Sequence, residues 1–176
     1  MRFTQLDRII ELTERESLKA IKCLSLSEYY LKDHFPRFPV MPGVLMLEAL
    51  FQASMWLVRH TEDFSHSMVV LRETRNIKFG DFVEPGNQLQ VQTILKKLEG
   101  SEAVMQVKAL IGNQTAVSGR LLLERFNLVD RKLAPIDVDN FMRHKFRRQF
   151  KLLCGPRFES TGELDVPSQL AEITAV

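Results

Sequence analysis

Two side chains in the first third of this 176-residue chain are of the types that move protons near neutral pH. His34 carries an imidazole, the side chain that most readily gains and loses a proton in that range. Glu48 is flanked on both sides by leucine, alanine and phenylalanine, which hinder its solvation. Because desolvation disfavours a carboxylate, we expect the pKa of Glu48 to lie above that of an exposed glutamate. Such an acid can donate a proton to a leaving hydroxyl, with His34 as the partner base.

Two further residues have a defined spacing from Glu48. Gln52 follows it by four positions, so the two side chains share one face of a helix. Gly43 comes directly after Pro42, where a helix is predicted to begin. Free backbone N–H groups at a helix N-terminus stabilise negative charge, and there they could stabilise an enolate-like thioester oxygen.

Each of these residues also has a plainer interpretation. A glutamate on a helix is usually solvated, and a histidine in a loop usually lies on the surface without a catalytic role. Prolines stiffen loops whatever the loop does. The order and spacing of the residues, taken together, favour the catalytic interpretation.

The elements around these residues predict an α+β fold. Residues 3–12 and 18–26 have the pattern of strands, and a proline-rich loop then extends to Gly43. Residues 44–60 form a helix that is apolar on nearly every face, so it must lie in the interior. The later strands are predicted at residues 68–71 and 76–82 (two short strands or one bent strand), 89–97, 103–111 and 115–126. One antiparallel sheet wrapped around one central helix, the hotdog fold, accounts for this order.

The chain changes character near residue 130, so we predict a domain over residues 1–129 and an extension over residues 130–176. The extension contains a basic helix at residues 136–153 and a loosely attached tail at residues 155–176. The helix could attract an acidic protein. Alternatively, four apolar residues pack it onto the domain while its charges face water. These four are Phe141, Phe146, Phe150 and Leu153.

Composition excludes several classes of function. A formal net charge of +2 is too small to indicate nucleic acid as the main partner. The cysteines, Cys23 and Cys154, form neither a disulfide framework nor a cluster with zinc-ligand spacing. The N-terminal segment has no uninterrupted apolar stretch of the kind a secretory signal needs, and no segment is long and apolar enough for membrane insertion. We therefore expect a cytoplasmic protein.

The segment from His34 to Gln52 resembles the 3-hydroxyacyl-acyl-carrier-protein dehydratases of bacterial fatty-acid synthesis, the FabZ/FabA family. The matching motifs are His34-Phe35-Pro36, Pro42-Gly43, Glu48 and Gln52, at the family's intervals. Residues 75–79, 83–87 and 6–9 are similar to further family segments, and the resemblance extends over residues 3–129. Because the acid is a glutamate, the chain resembles the FabZ branch, which dehydrates without also isomerising the double bond.

The resemblance implies a role for each residue of the motif. His34 would remove the proton from C2, and Glu48 would assist departure of the C3 hydroxyl as water. The Gly43 N–H would polarise the thioester carbonyl, and Gln52 would orient Glu48 or the water. No metal and no redox cofactor is implied.

The resemblance also implies partners and a substrate tunnel. The substrate would arrive on the phosphopantetheine of an acyl carrier protein, and His34 and Glu48 would meet across the interface of a homodimer, possibly within a trimer of dimers. The predicted substrate-binding residues are Phe35, Pro36, Val44, Met46 and Leu50.

Some positions depart from the family pattern. Asp33 and Arg37 stand where the family usually has glycine, and the family's N-terminal helix has no counterpart here. Arg37 could contact a carrier phosphate or be solvated. These departures support an alternative, a non-catalytic hotdog protein that binds acyl chains or a partner. A hotdog thioesterase is a weaker alternative, because thioesterases generally lack the paired motifs.

Overall fold

The computed structural model describes residues 4–35 and 37–155, and these contain six strands, two α-helices and one short 3-10 helix. Position 3 of the predicted first strand, the predicted substrate-binding residue Pro36 and the predicted tail beyond Gly155 lie outside the described residues. The elements in chain order are β1 (Arg8–Thr13), β2 (Ser17–Cys23), the 3-10 helix (Tyr29–Lys32), α1 (Gly43–Thr61), β3 (Met68–Phe79), β4 (Gln88–Glu99), β5 (Glu102–Ile111), β6 (Gln114–Phe126) and α2 (Ile136–Cys154).

One antiparallel sheet, in the order β1-β2-β4-β5-β6-β3, wraps around α1. The helix begins directly after Pro42, and its sheet-facing side chains are buried in the core, among them Ala49, Leu50, Ala53 and Leu57 at 0% exposure. Burial of this apolar face is the main force that holds helix and sheet together. The predicted hotdog fold and its α+β class are confirmed.

Strand β3 forms one edge of the sheet, since it pairs only with β6 in the described part of the chain. Its register shifts twice, and Asn76 adopts a left-handed backbone with φ 52°. The sequence pattern left open whether two short strands or one bent strand would form here, and the structure has one bent strand. The bend is local, because the pairing with β6 resumes at Lys78.

The loop between β2 and α1 contains a short helix and a hydrogen bond to the body of the protein, which its prolines did not indicate. Its unpredicted 3-10 helix inserts Leu31 into the interior at 4% exposure. At the other end, the Met41 N–H donates to the Val83 carbonyl at 2.8 Å, which ties the loop to the body just before α1. The predicted first strand began too early, because pairing with β2 starts only at Arg8.

Helix α2 packs over the C-terminal half of α1 through an aromatic cluster. The Trp56 ring lies 5.9 Å from the rings of both Phe146 and Phe150, and His60 stacks on Phe150 at 5.2 Å. Phe141 is 64% exposed, so the prediction that it helps to pack this helix is wrong: it lies on the solvent side of α2. The division at residue 130 stays a prediction. No helix in the described ranges is long and apolar enough to cross a membrane.

Candidate active site

Helix α1 places Glu48 and Gln52 side by side on the face that the sheet does not cover. Glu48 is half-buried, and its Oε1 accepts a hydrogen bond from Gln52 Nε2 at 2.8 Å. Burial raises the pKa of Glu48, and the hydrogen bond from Gln52 opposes that rise without cancelling it. Glu48 therefore keeps its proton to higher pH than an exposed glutamate, as the sequence predicted.

The orientation of the Gln52 amide is fixed from its other side. Gln52 Oε1 accepts a hydrogen bond from the backbone N–H of Gln5 at 2.9 Å, and both residues are buried. Since the amide oxygen accepts from Gln5, the amide NH₂ is directed at Glu48. Gln5 was not predicted as part of the site, and no sequence signal could identify it, because it contributes a main-chain group that every residue but proline has.

A cleft of about 250 Å³ opens beside Glu48 and Gln52. The residues that line it are Thr4, Glu48, Phe51, Gln52, Met55, Trp56, Phe146 and Gln149. Half of these side chains are apolar, and those of Phe146 and Gln149 come from α2. Among the described lining residues, only the acid and the glutamine were predicted as site residues. His34 is not part of this lining.

His34 lies in the loop before α1, just after the 3-10 helix. Its backbone N–H donates to the Tyr30 carbonyl at 3.1 Å, and its ring lies 4.4 Å from the Phe35 ring. Phe35 has φ 47°, a left-handed backbone that is unusual for an aromatic residue and that tends to occur at functional sites. A hydrogen bond from the Phe38 N–H to the Phe35 carbonyl at 2.8 Å closes the turn. The turn places His34 at the molecular surface, where it is partly exposed.

Gly43 is the first residue of α1, one position before the predicted helix at residues 44–60 and therefore at the helix N-terminus, as expected. A Cβ at this position would lie 3.1 Å from Cε1 of Phe79, so the absence of a side chain lets the Phe79 ring lie against the first helical turn. Within residues 4–35 and 37–155, no carbonyl accepts a hydrogen bond from the Gly43 N–H. This N–H is therefore available to a substrate oxygen.

The predicted substrate-binding residues fall into two groups. Phe35 and Val44 are exposed, at 58% and 71%. Met46 and Leu50 are buried at 3% and 0%, in the core between α1 and the sheet. Pro36 lies outside the described residues. The structure thus brings Glu48 and Gln52 into contact and separates the other predicted residues between surface and core.

An apolar rim surrounds the start of α1. Its members are Phe35, Phe38, Val44, Phe79 and Phe82, each at least 47% exposed. Phe38 and Phe82 pack edge to face at 5.6 Å, and Phe79 touches Gly43. Exposed apolar side chains gathered in one place are typical of protein interfaces.

Comparison with known proteins gives a family. The FabA-like domain family matches residues 1–120. This match includes Gly43, Glu48 and Gln52 and ends before α2.

Relatives with assigned names agree with that match. The chain is 32% identical over 120 residues to the 3-hydroxyacyl-[acyl-carrier-protein] dehydratase FabZ of Clostridium kluyveri, which covers 68% of this chain and 83% of the relative. It is 35% identical over 119 residues to FabZ of Lactococcus lactis (68% and 82% covered). It is 36% identical over 115 residues to FabZ of Streptococcus gordonii (65% and 81% covered).

Solved structures agree on the fold. A chain of the dehydratase heterocomplex ApeI:P from Xenorhabdus doucetiae aligns with a TM-score of 0.59 at 17% identity, covering 72% of this chain and 86% of that one. A mutant thioesterase from Pseudomonas aeruginosa aligns with a TM-score of 0.54 at 15% identity, covering 67% and 81%. At such identities the likeness shows the fold alone. The family match and the named relatives carry the assignment: the chain belongs to the FabA-like family, in its FabZ branch of dehydratases.

Proposed function

We propose that this chain is a hydro-lyase of fatty-acid biosynthesis, which converts (3R)-3-hydroxyacyl thioesters carried by acyl carrier protein into trans-2-enoyl thioesters. The observation that carries the proposal is the Glu48 carboxyl. It is half-buried, its pKa is raised by desolvation, and its orientation is set by Gln52. A carboxyl that stays protonated at higher pH than usual is suited to give a proton to a leaving hydroxyl.

The reaction balances on these groups. The His34 imidazole takes a proton from C2, and the electrons of that C–H bond form the C2=C3 double bond. The C3–O bond breaks, and the departing hydroxyl takes the Glu48 proton and leaves as water. The Gly43 N–H donates to the thioester oxygen, which gains negative charge as C2 loses its proton. Proton exchange with solvent then restores His34 and Glu48.

The same proposal includes a homodimer, possibly within a trimer of dimers. Residues of a single chain line the cleft beside Glu48, but His34 is not one of them. The apolar rim and the free edge of β3 offer a surface to a second copy of the chain. In such a dimer, the His34 loop of one copy approaches Glu48 of the other.

Acyl carrier protein is the proposed partner because the relatives' names specify a substrate on that carrier. Arg37 is exposed and follows His34 by three positions, and its guanidinium could bind the phosphate of the phosphopantetheine arm. A cytoplasmic location stays our prediction from the sequence.

The test is turnover of a 3-hydroxyacyl thioester, followed by absorbance of the enoyl product. We expect activity in the native chain and its loss in both His34→Ala and Glu48→Gln. The matched controls are His144→Ala and Glu84→Gln, both at exposed positions, which should remain active. Release of free acid instead of enoyl product would identify a thioesterase, and saturable acyl binding without turnover would identify a binding protein.

A further inference from the structure

The cleft beside Glu48 is lined by residues inside the family match and by residues beyond it. Its floor comes from α1, through Phe51, Met55 and Trp56, inside the family match over residues 1–120. Part of its wall comes from α2, through Phe146 and Gln149, which lie beyond that match. The extension therefore contributes directly to the surface next to the proposed acid.

The α2 part of the wall is firmly held. Phe150 and Cys154 are 8% and 4% exposed and belong to the same core cluster as α1. The Arg59 guanidinium lies 3.8 Å from the centre of the Phe146 ring, and it also donates to the carbonyls of His66 and Ser67 at 2.9 and 3.0 Å. Because the rings and the guanidinium are fixed by these contacts, Phe146 occupies a defined place in the cleft.

The chemistry of the lining fits an alkyl chain. Glu48, Gln52 and Trp56 follow one another at intervals of four, so they form one line along the face of α1 that leads towards α2. Among the described lining residues, Glu48 is the one ionisable group, and the far end is made of Met55, Trp56 and the Phe146 ring. A substrate whose C3 hydroxyl lies beside Glu48 would direct its later carbons along this line.

We infer that Phe146 and Gln149 form the end wall of the acyl pocket and set the longest chain that the enzyme accepts. This inference rests on the proposed function, since it takes Glu48 as the point where C3 binds. Phe146 is then a specificity-determining residue contributed by the extension. Removing its ring should lengthen the pocket, and enlarging Gln149 should shorten it.

The experiment measures kcat/KM over a graded series of 3-hydroxyacyl thioesters. Each methylene that enters an apolar pocket is worth about fourfold in binding, so kcat/KM should rise with chain length until the pocket is full and then stop rising. In Phe146→Ala the rise should continue to longer chains, and in Gln149→Phe it should stop earlier. Phe141→Ala is the matched control, because Phe141 lies on the same helix at 64% exposure and does not line the cleft.

A second readout separates this inference from the proposed function. Trp56 is the single tryptophan of the chain and lines the cleft, so its emission reports occupation of the pocket without turnover. Titration with saturated acyl thioesters should show the same length limits. The native chain could lack dehydratase activity while the length limit for acyl binding still differs between it and Phe146→Ala. That result would reject the proposed function and support the role of Phe146 as the end wall of the pocket.

The inference is overturned if the native chain, Phe146→Ala and Gln149→Phe share one length limit in both readouts. Phe146→Leu is included because it keeps apolar packing against Trp56 and Arg59 while shortening the side chain. If Phe146→Ala fails to fold, Phe146→Leu and Gln149→Phe decide the question, since they should move the limit in opposite directions.

Discussion

Glu48 and His34 are held by surroundings of very different kinds. Glu48 projects from a helix whose opposite face is fully buried, and two successive hydrogen bonds, from Gln5 to Gln52 and from Gln52 to Glu48, set its orientation. His34 lies in a loop, where its backbone N–H is bonded to Tyr30 and its ring touches the exposed Phe35. One chain thus prearranges the acid much more completely than the base.

This difference agrees with the proposed homodimer, in which catalysis would depend on assembly. Glu48 already has its orienting hydrogen bond within one chain, whereas His34 lies in a loop near an apolar rim that a second copy would cover in the proposed dimer. Phe35, directly after His34, has a left-handed backbone, a conformation that is strained for an aromatic residue. The proposed dimer therefore predicts that each active site combines Glu48 of one copy with His34 of the other.

The largest expected effect tests that prediction directly. His34→Ala and Glu48→Gln should each lower kcat by about 10²–10⁴-fold, the usual contribution of a general acid or base. When the two inactive variants are refolded together, half of the dimers are mixed and each mixed dimer has one intact site, so activity should return to about a quarter of the native value.

Enoyl formation per chain, before and after mixing, gives the result. Each variant refolded alone is the control for spontaneous recovery. If both residues act within the same chain, no mixture can contain an intact site, and activity stays at the level of the single variants.

Gly43→Val should lower kcat/KM by about 10–100-fold. Even a Cβ at this position would lie 3.1 Å from the Phe79 ring, so a branched side chain must displace that ring or move the helix start away from the thioester oxygen. In a Phe79→Ala background the same substitution should cost much less, because the obstructing ring is gone. An equal cost in both backgrounds would show that Phe79 does not link Gly43 to activity.

Gln52→Leu should lower kcat by roughly threefold to tenfold and change the pH profile, because it removes an orienting hydrogen bond from Glu48. That bond lowers the pKa of Glu48, so its loss should raise the pKa further. In the proposed reaction Glu48 acts in its protonated form, so the alkaline limb of the kcat profile should move to higher pH. Gln106→Leu is the control, since Gln106 is exposed on β5 and does not line the cleft. An unmoved limb in Gln52→Leu would contradict the role of the hydrogen bond.

Local patterns were enough to predict the acid half of the site. The predicted helix at residues 44–60 differs from Gly43–Thr61 by one residue at each end, since a proline, a glycine and good helix formers define it locally. The contact between Glu48 and Gln52 follows from helical spacing alone.

Contacts between distant segments could not be predicted in this way. Gln5 and Gln52 are 47 positions apart, and Phe146 reaches the same cleft from α2, so neither follows from local sequence. The sequence also did not show which face of α1 packs against the sheet, because apolar residues occur all around the helix. Met46 and Leu50 were therefore assigned to the substrate, whereas the structure buries them against the sheet.

The smallest expected effect concerns thermal stability, and we expect it only from a change at Glu48. The pKa of Glu48 is raised in the folded chain above its ordinary value of 4.5, so folding is favoured by the protonated form, and that contribution is lost as pH rises through the folded pKa. Glu48→Gln stays neutral and can still accept the Gln52 hydrogen bond. The two proteins should have the same melting temperature at acidic pH. At pH values above the folded pKa of Glu48, the variant should have a melting temperature about 1–3 °C higher than the native chain. The difference is small because a half-buried carboxyl remains partly screened by solvent. Melting curves across pH measure this difference, with Glu84→Gln as the exposed control. A gap of the same size at every pH would mean that the carboxyl is not destabilised by burial, and the basis for treating Glu48 as the proton donor would be lost.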